Sequence, residues 1–231
     1  RDAQLQVQGM LEPATAALPC NQTDRDALGQ ALTTRPVWLA AEICETEFEV
    51  VIQAHLQAVR RAHRLMLILS PMDPAHGDRL AQLLDHHGLL FMRRSLGQEP
   101  DADTQVYLVD TDGEMGLWYR LAPISFIGGT MHENSTHGPN PFDAAALGSA
   151  ILHGPFTDKN ATAFDRLERA GAARQVTDAN QLGQAVETLL APDKAALMAQ
   201  AAWQIETSGA DVTDHIITLV TARLDDEGTS A

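Results

Sequence analysis

The sequence predicts an α/β fold built on a Rossmann-like, doubly wound parallel sheet. Two observations support this prediction: short apolar segments alternate with helical patterns along most of the chain, and a glycine-rich stretch joins two of these segments. Strands that alternate with helices are joined by right-handed crossovers and therefore lie parallel in one sheet. With 231 residues and a hydrophobic content of 45%, the chain is long enough to bury a core.

Seven short apolar segments are predicted to form the strands. They are Val37–Ala41, Leu65–Leu69, Gly88–Met92, Gln105–Val109, Ile124–Ile127, Ala150–His153 and Ala173–Val176. Helical patterns lie between most of them. The clearest is Glu45–Ala62, which begins with acids, ends with bases and carries an apolar stripe, so we expect it to pack on the sheet.

The chain divides into four predicted regions. Residues 1–36 form a lead-in segment with a first helix, Thr23–Thr33, capped by an Asn or Thr. The sheet and its helices occupy residues 37–190, further helices of the same domain occupy residues 191–224, and residues 225–231 form a disordered tail. Trp203 lies on an alanine-rich helix face and is expected to pack in the core, with contact to another domain as the second choice.

Composition limits the classes of function. The net charge of −15 disfavours binding to nucleic acid or to an anionic membrane surface. Cys20 and Cys44 are too few for a disulfide framework or a zinc site, which suits a reducing cytoplasm. The sequence contains no apolar run of transmembrane length and does not begin with a signal-peptide pattern, so the chain as given is expected to be soluble.

The stretch from Ser125 to Pro155 predicts a ligand site. It places the Gly128-Gly129 turn and a helix start at Asn140-Pro141 between two predicted strands. At the carboxyl ends of parallel strands, such a loop would present free backbone N–H groups and the positive end of a helix to an anion. A phosphate or a carboxylate is the expected ligand.

Several segments together resemble the C-terminal half of one enzyme family. They are RPVWLAAEICETE from Arg35, LILSPMDPAHGD from Leu67, DADTQVYLVDTDGEMGLWYRLAPISFIGG from Asp101, NPFDAAALGSAILHGP from Asn140 and AGAARQVTDANQL from Ala170. This family is the 3-deoxy-D-manno-octulosonic acid (Kdo) transferases, glycosyltransferases of the GT-B fold that transfer Kdo from CMP-Kdo to lipid A precursor. The resemblance covers roughly residues 1–225.

The resemblance implies that residues 37–190 bind a nucleotide sugar and that the chain is part of a longer protein. The other GT-B half would hold the membrane anchor, the acceptor-binding surface and the catalytic carboxylate, so no catalytic residue is assigned here. This domain alone is then expected to be inactive. The family works at the cytoplasmic face of the bacterial inner membrane in lipopolysaccharide biosynthesis and needs no cofactor and no permanently bound metal.

The resemblance also implies which residues contact the sugar nucleotide. They lie in loops that follow predicted strands, and the best match is the Gly-Glu-Met triplet at residues 113–115. The implied binding residues are Pro71, Met72, Gly113, Glu114, Met115, Gly128, Gly129, Thr130, Asn140, Pro141, Phe142 and Asp143.

The chain departs from the family pattern at several of these positions. Glu42, Ile43 and Cys44 stand where the family usually has Ser, Thr and His. Met72 stands in place of an arginine that contacts CMP. In the fourth loop Pro139 replaces a histidine, Asp143 shortens a glutamate, and His132 or His137 is a candidate to fill the space.

These departures leave an alternative open: a degenerate paralogue that keeps the fold as a non-catalytic ligand-binding or interaction module. A UDP-sugar epimerase is a more distant option, which the triplet at residues 113–115 disfavours.

Three motifs also have simpler interpretations. Glu114 fits a capping box with Asp110 or Thr111 as the helix cap, as well as it fits nucleotide binding. The two histidines of HENSTH are spaced five apart, which disfavours a metal site on a helix. His153 is expected to be a buried strand-end residue.

Overall fold

The computed structural model describes residues 17–32, 35–133 and 138–205. The helices are α1 (Gln22–Leu32), α2 (Phe48–Val59), α3 (Gly77–His86), α4 (Met115–Leu121), α5 (Pro141–Ala146), α6 (Ala161–Arg169) and α7 (Ala179–Leu189). The strands are β1 (Val37–Ile43), β2 (Met66–Pro71), β3 (Phe91–Arg93), β4 (Val106–Leu108), β5 (Ile124–Ile127), β6 (Ala150–His153) and β7 (Ala173–Gln175). Residues 192–205 form a further helix.

The strands form one seven-stranded sheet in the order β3-β4-β2-β1-β5-β6-β7. Every pairing between neighbouring strands is parallel, so all carboxyl ends lie at the same edge. From β1 the chain builds the sheet in one direction through β2, and with β5 it returns to the other side of β1. The switch point therefore lies between β1 and β5. Open α/β sheets bind their ligands in a crevice at this position, outside the carboxyl edge.

Helices cover both faces of the sheet. One apolar cluster joins the sheet to α2, α3 and α7, and the other joins it to α1, α4, α5 and α6. Because both faces of a parallel sheet are covered, its strands are apolar throughout rather than alternating. The sequence prediction of a doubly wound α/β fold is confirmed.

All seven predicted strands are present, with shifted ends. Strand β1 extends to Ile43 across an irregularity in its pairing with β2 that lies between Ala40 and Ile43. Strand β3 starts later than predicted because Gly88 has a left-handed φ of 67° and belongs to the turn after α3. The predicted helix Glu45–Ala62 is a 3-10 turn, Glu45–Glu47, followed by α2.

The segments that flank the sheet agree in part with the prediction. Helix α1 begins after Asn21, whose side chain accepts hydrogen bonds from the N–H groups of Thr23 and Asp24, so the predicted asparagine cap is confirmed. Trp203 is 55% exposed, and the expectation that it packs in the core is wrong. Its neighbour Ala202 is the buried residue of that turn. Residues 1–16, the last predicted helix and the tail lie outside the described residues.

Within the residues that the structure describes, we find no helix of sufficient length and apolar character to cross a membrane.

Candidate functional site

The loops that follow β1, β2, β4 and β5 lie side by side at the carboxyl edge of the sheet. These are neighbouring strands in the order β4-β2-β1-β5, so the sequence prediction that the loops converge is confirmed. The loop after β2 is joined directly to the end of β1, because the Met72 N–H donates to the carbonyl oxygen of Ile43 at 3.0 Å. Helix α5, which starts at Pro141, follows the loop after β5.

Glu47 organises the centre of this edge. Its side chain is fully buried, and its carboxylate accepts hydrogen bonds from four backbone N–H groups. One oxygen, Oε2, accepts from Cys44 at 2.9 Å and Gly129 at 2.7 Å. The other, Oε1, accepts from Thr130 and Met131, each at 2.9 Å. A carboxylate from the β1 loop thus holds the backbone of the β5 loop.

The expectation of free backbone N–H groups in the Gly128-Gly129 turn is therefore wrong. The Gly128 N–H donates to the carbonyl of Ala41 at 2.8 Å, and the next three N–H groups donate to the carboxylate of Glu47. The Thr130 side chain is also buried, where its hydroxyl donates to Ile127 and accepts from the Gly154 N–H, both at 2.7 Å. Contact between these residues and a nucleotide stays a prediction.

The backbones of the β1 and β5 loops are in close contact. Glu42 has a φ of 50°, in the left-handed region that side chains other than glycine rarely adopt. A Cβ atom on Gly128 would lie 2.3 Å from the carbonyl oxygen of Glu42. Glycine is therefore required at position 128 by the neighbouring loop and not by its own φ. Unusual backbone of this kind is common at functional sites.

Two sulfur atoms lie at the mouth of the crevice. The Cys44 Sγ is 4.0 Å from the Met72 Sδ, and both residues are partly exposed. These are positions where the family pattern has a histidine and an arginine. The chain therefore presents polarisable, weakly hydrogen-bonding atoms where a charged donor pair would otherwise stand.

The Glu114 carboxylate is held by neighbouring side chains. It accepts from the guanidinium of Arg94 at 2.7 and 3.3 Å and from the hydroxyl of Thr111. Burial alone would raise the pKa of Glu114, but the hydrogen bonds from Arg94 and Thr111 together lower it. Glu114 is also the residue before α4 and makes no side-chain cap bond, so the predicted capping box is wrong. Asp110, one of the two residues predicted to cap this helix, contacts Arg93 instead.

The two arginines at the end of β3, Arg93 in the strand and Arg94 directly after it, are both paired with acids. Arg93 contacts the buried Asp110 and the exposed Asp78. Besides Glu114, Arg94 contacts Asp24 at 2.8 Å and Glu99 at 3.1 Å. These ion pairs offset the positive charge that the arginines would otherwise offer to an anion.

The start of α5 matches the sequence prediction. Asn140 caps the helix by accepting from the Phe142 N–H at 3.1 Å, and Pro141 is the first helical residue. Asp143 lies in the first turn. Because α4 has 7 residues and α5 has 6, the positive end of either helix is a smaller source of charge than the sequence suggested.

Acids dominate the mouth between β1, α4 and α5. Burial, together with the charges of Asp143 and Asp112, raises the pKa of Glu42, and burial raises the pKa of Asp143. Below them the Tyr119 hydroxyl is buried with no hydrogen-bond partner among the described residues. Burial and the charges of Glu42 and Asp143 raise the pKa of Tyr119. The mouth therefore disfavours additional negative charge.

The Glu42→Gln variant is expected to be more stable than the wild type near neutral pH, by about 0.5–1 kcal/mol, the usual size of an interaction between partly exposed charges. A carboxyl group with a raised folded-state pKa binds more protons when folded. Its contribution to the free energy of unfolding therefore grows as pH falls through that pKa and shrinks as pH rises. When the free energy of unfolding is measured with urea between neutral and mildly acidic pH, it should change less with pH in the variant than in the wild type.

Glu49→Gln is the matched control, because hydrogen bonds from Gln53 and His87 lower the pKa of Glu49. This substitution should not stabilise the chain at neutral pH. Equal effects of the two substitutions would contradict the repulsion described for Glu42.

The described histidines of this region, His132 and His153, each have polar contacts. His132 lies 3.1 Å from the carbonyl oxygen of Thr46, and His137 lies outside the described residues. His153 is buried at the end of β6, with Nδ1 2.7 Å from the Gly154 carbonyl and Nε2 2.8 Å from Glu168, as expected of a strand-end residue. Among the described residues no group of three or more His, Cys, Asp or Glu side chains is arranged to hold a metal ion.

One cation lies beside the glycine loop. Lys159 lines a pocket of about 30 Å³ with Gly129, Thr130, Gly138 and Asn160. The pocket opens between the loops that follow β5 and β6, close to the start of α5.

The sequence is similar to several proteins of one name. The chain is 32% identical to the 3-deoxy-D-manno-octulosonic acid transferase of Haemophilus influenzae over 157 residues, which are 68% of this chain and 36% of that protein. It is 35% identical to the enzyme of the same name from Bordetella pertussis over 185 residues, which are 77% of this chain and 43% of that protein. No family model matches.

The chain belongs to the Kdo transferase family. It corresponds to the C-terminal half, because it superimposes on the C-terminal CMP-Kdo binding domain of WaaA from Acinetobacter baumannii with a TM-score of 0.70 and 25% identity. That match covers 84% of this chain and 99% of the other. The chain spans between 36% and 44% of the length of the first curated Kdo transferases that it matches.

This match also confirms that the seven-stranded sheet is the Rossmann-like half of a GT-B glycosyltransferase. The family pattern in the sequence predicted a site at the glycine loop, the triplet and the start of α5. The Kdo transferase fold brings all three to one edge of the sheet. The family pattern did not identify Glu47, the carboxylate that joins two of the loops. The sequence did contain an indication that Glu47 is buried. Residues 47, 51 and 55 are spaced by four, so Glu47 lies on the same helical face as the apolar stripe.

Proposed function

We propose that this domain binds CMP-Kdo as the donor half of a Kdo transferase that acts on lipid A precursor in lipopolysaccharide biosynthesis. One observation carries the proposal: the Gly113-Glu114-Met115 triplet and the Asn140-Pro141 helix start both precede helices at the carboxyl edge of a sheet that matches a CMP-Kdo binding domain along 99% of that domain. Fold alone would not support it, because GT-B folds serve many sugar nucleotides.

In the proposed reaction a hydroxyl oxygen of the acceptor attacks the anomeric carbon of Kdo. The bond from that carbon to the phosphate oxygen of CMP breaks, and the proton of the hydroxyl passes to a carboxylate base. The base, the acceptor surface and the attachment to the cytoplasmic face of the inner membrane are assigned to the N-terminal half of the same protein, the partner of this domain. The reaction needs no cofactor in this scheme.

The residues of this domain bind and orient the donor. Asn140 fixes the start of α5, and Asp143 in its first turn offers a carboxylate to sugar hydroxyl groups. Lys159 lies beside the glycine loop and offers a positive charge to the phosphate or to the Kdo carboxylate.

A titration of the chain with CMP, with UMP and UDP as controls, tests the proposal by calorimetry or by chemical-shift perturbation. We expect saturable binding that is selective for CMP, with shifts in the loops at residues 113–115 and 138–143. The absence of binding at millimolar CMP, or equal binding of all three nucleotides, would contradict a donor-binding role. That result would favour a domain that keeps the fold for another ligand.

A further inference from the structure

The loop after β5 binds an anionic group of the protein itself, the carboxylate of Glu47. Three successive N–H groups, those of Gly129, Thr130 and Met131, point at the carboxylate of Glu47. Successive N–H groups that converge in this way form an anion-binding nest. Gly129 makes the geometry accessible, since its φ is 69°.

The same carboxylate joins this nest to the loop after β1. Its fourth hydrogen bond comes from the Cys44 N–H, so a single side chain connects the two loops that border the switch point. A buried carboxylate is tolerated only where hydrogen bonds replace its hydration, and here both oxygens accept two. The arrangement is therefore satisfied without a ligand.

We propose that Glu47 is a positioning residue of the nucleotide-sugar site. Its carboxylate sets the conformation of the loop after β5 and occupies the N–H groups that a donor phosphate would otherwise use. The anionic groups of the donor therefore bind to other parts of the crevice. The proposal rests on the proposed function, because the loop conformation affects binding only where a nucleotide sugar occupies the crevice.

The Glu47→Gln variant tests this role. An amide nitrogen in place of one carboxylate oxygen would face two N–H donors, so two hydrogen bonds are lost while the side-chain volume is kept. We expect the variant to be folded by circular dichroism and to bind CMP at least about tenfold more weakly, as expected for the loss of charge-assisted hydrogen bonds. Glu49→Gln, two residues further along and exposed, should bind CMP like the wild type.

Two further readouts separate positioning from general support of the fold. In the wild-type chain, the amide protons of Gly129, Thr130 and Met131 should exchange slowly and keep their chemical shifts when CMP is added; Glu47→Gln should shift all three. Glu47→Ala removes the CH₂ and carboxylate groups, so acetate should restore part of its CMP affinity, and chloride at equal ionic strength should not.

Wild-type CMP affinity in a folded Glu47→Gln variant would overturn the proposal, as would loss of the slow amide exchange on addition of CMP to the wild type. If the wild-type chain binds no CMP, the proposed function fails by itself. The amide shifts of the Glu47→Gln variant then still decide whether Glu47 sets the conformation of the loop after β5: unchanged shifts at residues 129–131 overturn this part of the proposal, and shifted ones support it.

Discussion

The Gly128→Ala substitution is expected to destabilise the domain by about 3 kcal/mol, the upper part of the usual range for overpacking in a close-packed site. The added Cβ would lie 2.3 Å from the carbonyl oxygen and 2.6 Å from the carbonyl carbon of Glu42, and 2.6 Å from the Cα of Ile43. All three atoms belong to backbone and cannot turn away as the end of a flexible side chain can. The clash must separate the loops after β1 and β5.

Thermal unfolding measures this effect. A loss of about 3 kcal/mol lowers the melting temperature by about 6–12 °C in a domain of this size. Gly29→Ala is the matched control, because its Cβ would meet only the Leu121 side chain at 3.8 Å and alanine is the better helix former. The control should be neutral or stabilising. Similar melting temperatures for the two variants would show that the loops separate at little cost.

Separation of these loops should also weaken ligand binding. Glu47 lies on the β1 side of the contact and its hydrogen-bond donors at residues 129–131 lie on the β5 side. A displacement at position 128 therefore lengthens the hydrogen bonds that fix the glycine loop. The stability of this edge and the geometry of the site depend on the same contact.

The sheet could be predicted from the sequence because each strand is buried on both faces. Such strands are short, nearly continuous apolar segments, and runs such as Leu65–Leu69 are visible without any structure. The strand ends were less predictable, since pairing with neighbours decides them. Strand β1 extends past Ala41 only because Ile43 pairs with Pro71 beyond the irregularity in the ladder.

The position of the candidate site was predictable, but its chemistry was predictable only in part. Parallel strands bring their carboxyl-end loops to one edge, so the family motifs in those loops had to meet there. The sequence could not predict that the N–H groups of residues 129–131 already donate to a carboxylate of the protein. This arrangement depends on the burial of Glu47, one of three glutamates in the segment Glu45–Glu49 that look alike in the sequence, of which only Glu47 turns inward.

Trp203 shows the opposite difficulty. An alanine-rich helix gives little contrast between its faces, and a large aromatic residue is expected to turn to the core. In the structure the buried residues of this helix include Ala195 and Ala202, which are spaced by two helical turns and belong to the two different apolar clusters. Trp203, one position after Ala202, is 55% exposed. The small residues are therefore buried in this helix while the large one stays exposed.

The Met72→Arg substitution is expected to strengthen CMP binding by about tenfold to a hundredfold, the value of a charge-assisted hydrogen bond of about 1.5–3 kcal/mol. Met72 is partly exposed at the mouth of the crevice, and its backbone is fixed by the hydrogen bond from its N–H to Ile43. An arginine there would restore the residue that the family pattern has, and its guanidinium would face a mouth that carries Glu42 and Asp143. It would offset their repulsion as well as contact the phosphate.

Calorimetry with CMP and with cytidine distinguishes these contributions from a general change in charge. The gain in affinity should be large for CMP and small for cytidine, which has no phosphate. The gain for CMP should also shrink as salt is added. Ala75→Arg places the same charge on an exposed position of the same loop and should change CMP affinity little. If Met72→Arg and Ala75→Arg bind CMP equally well, position 72 does not face the phosphate.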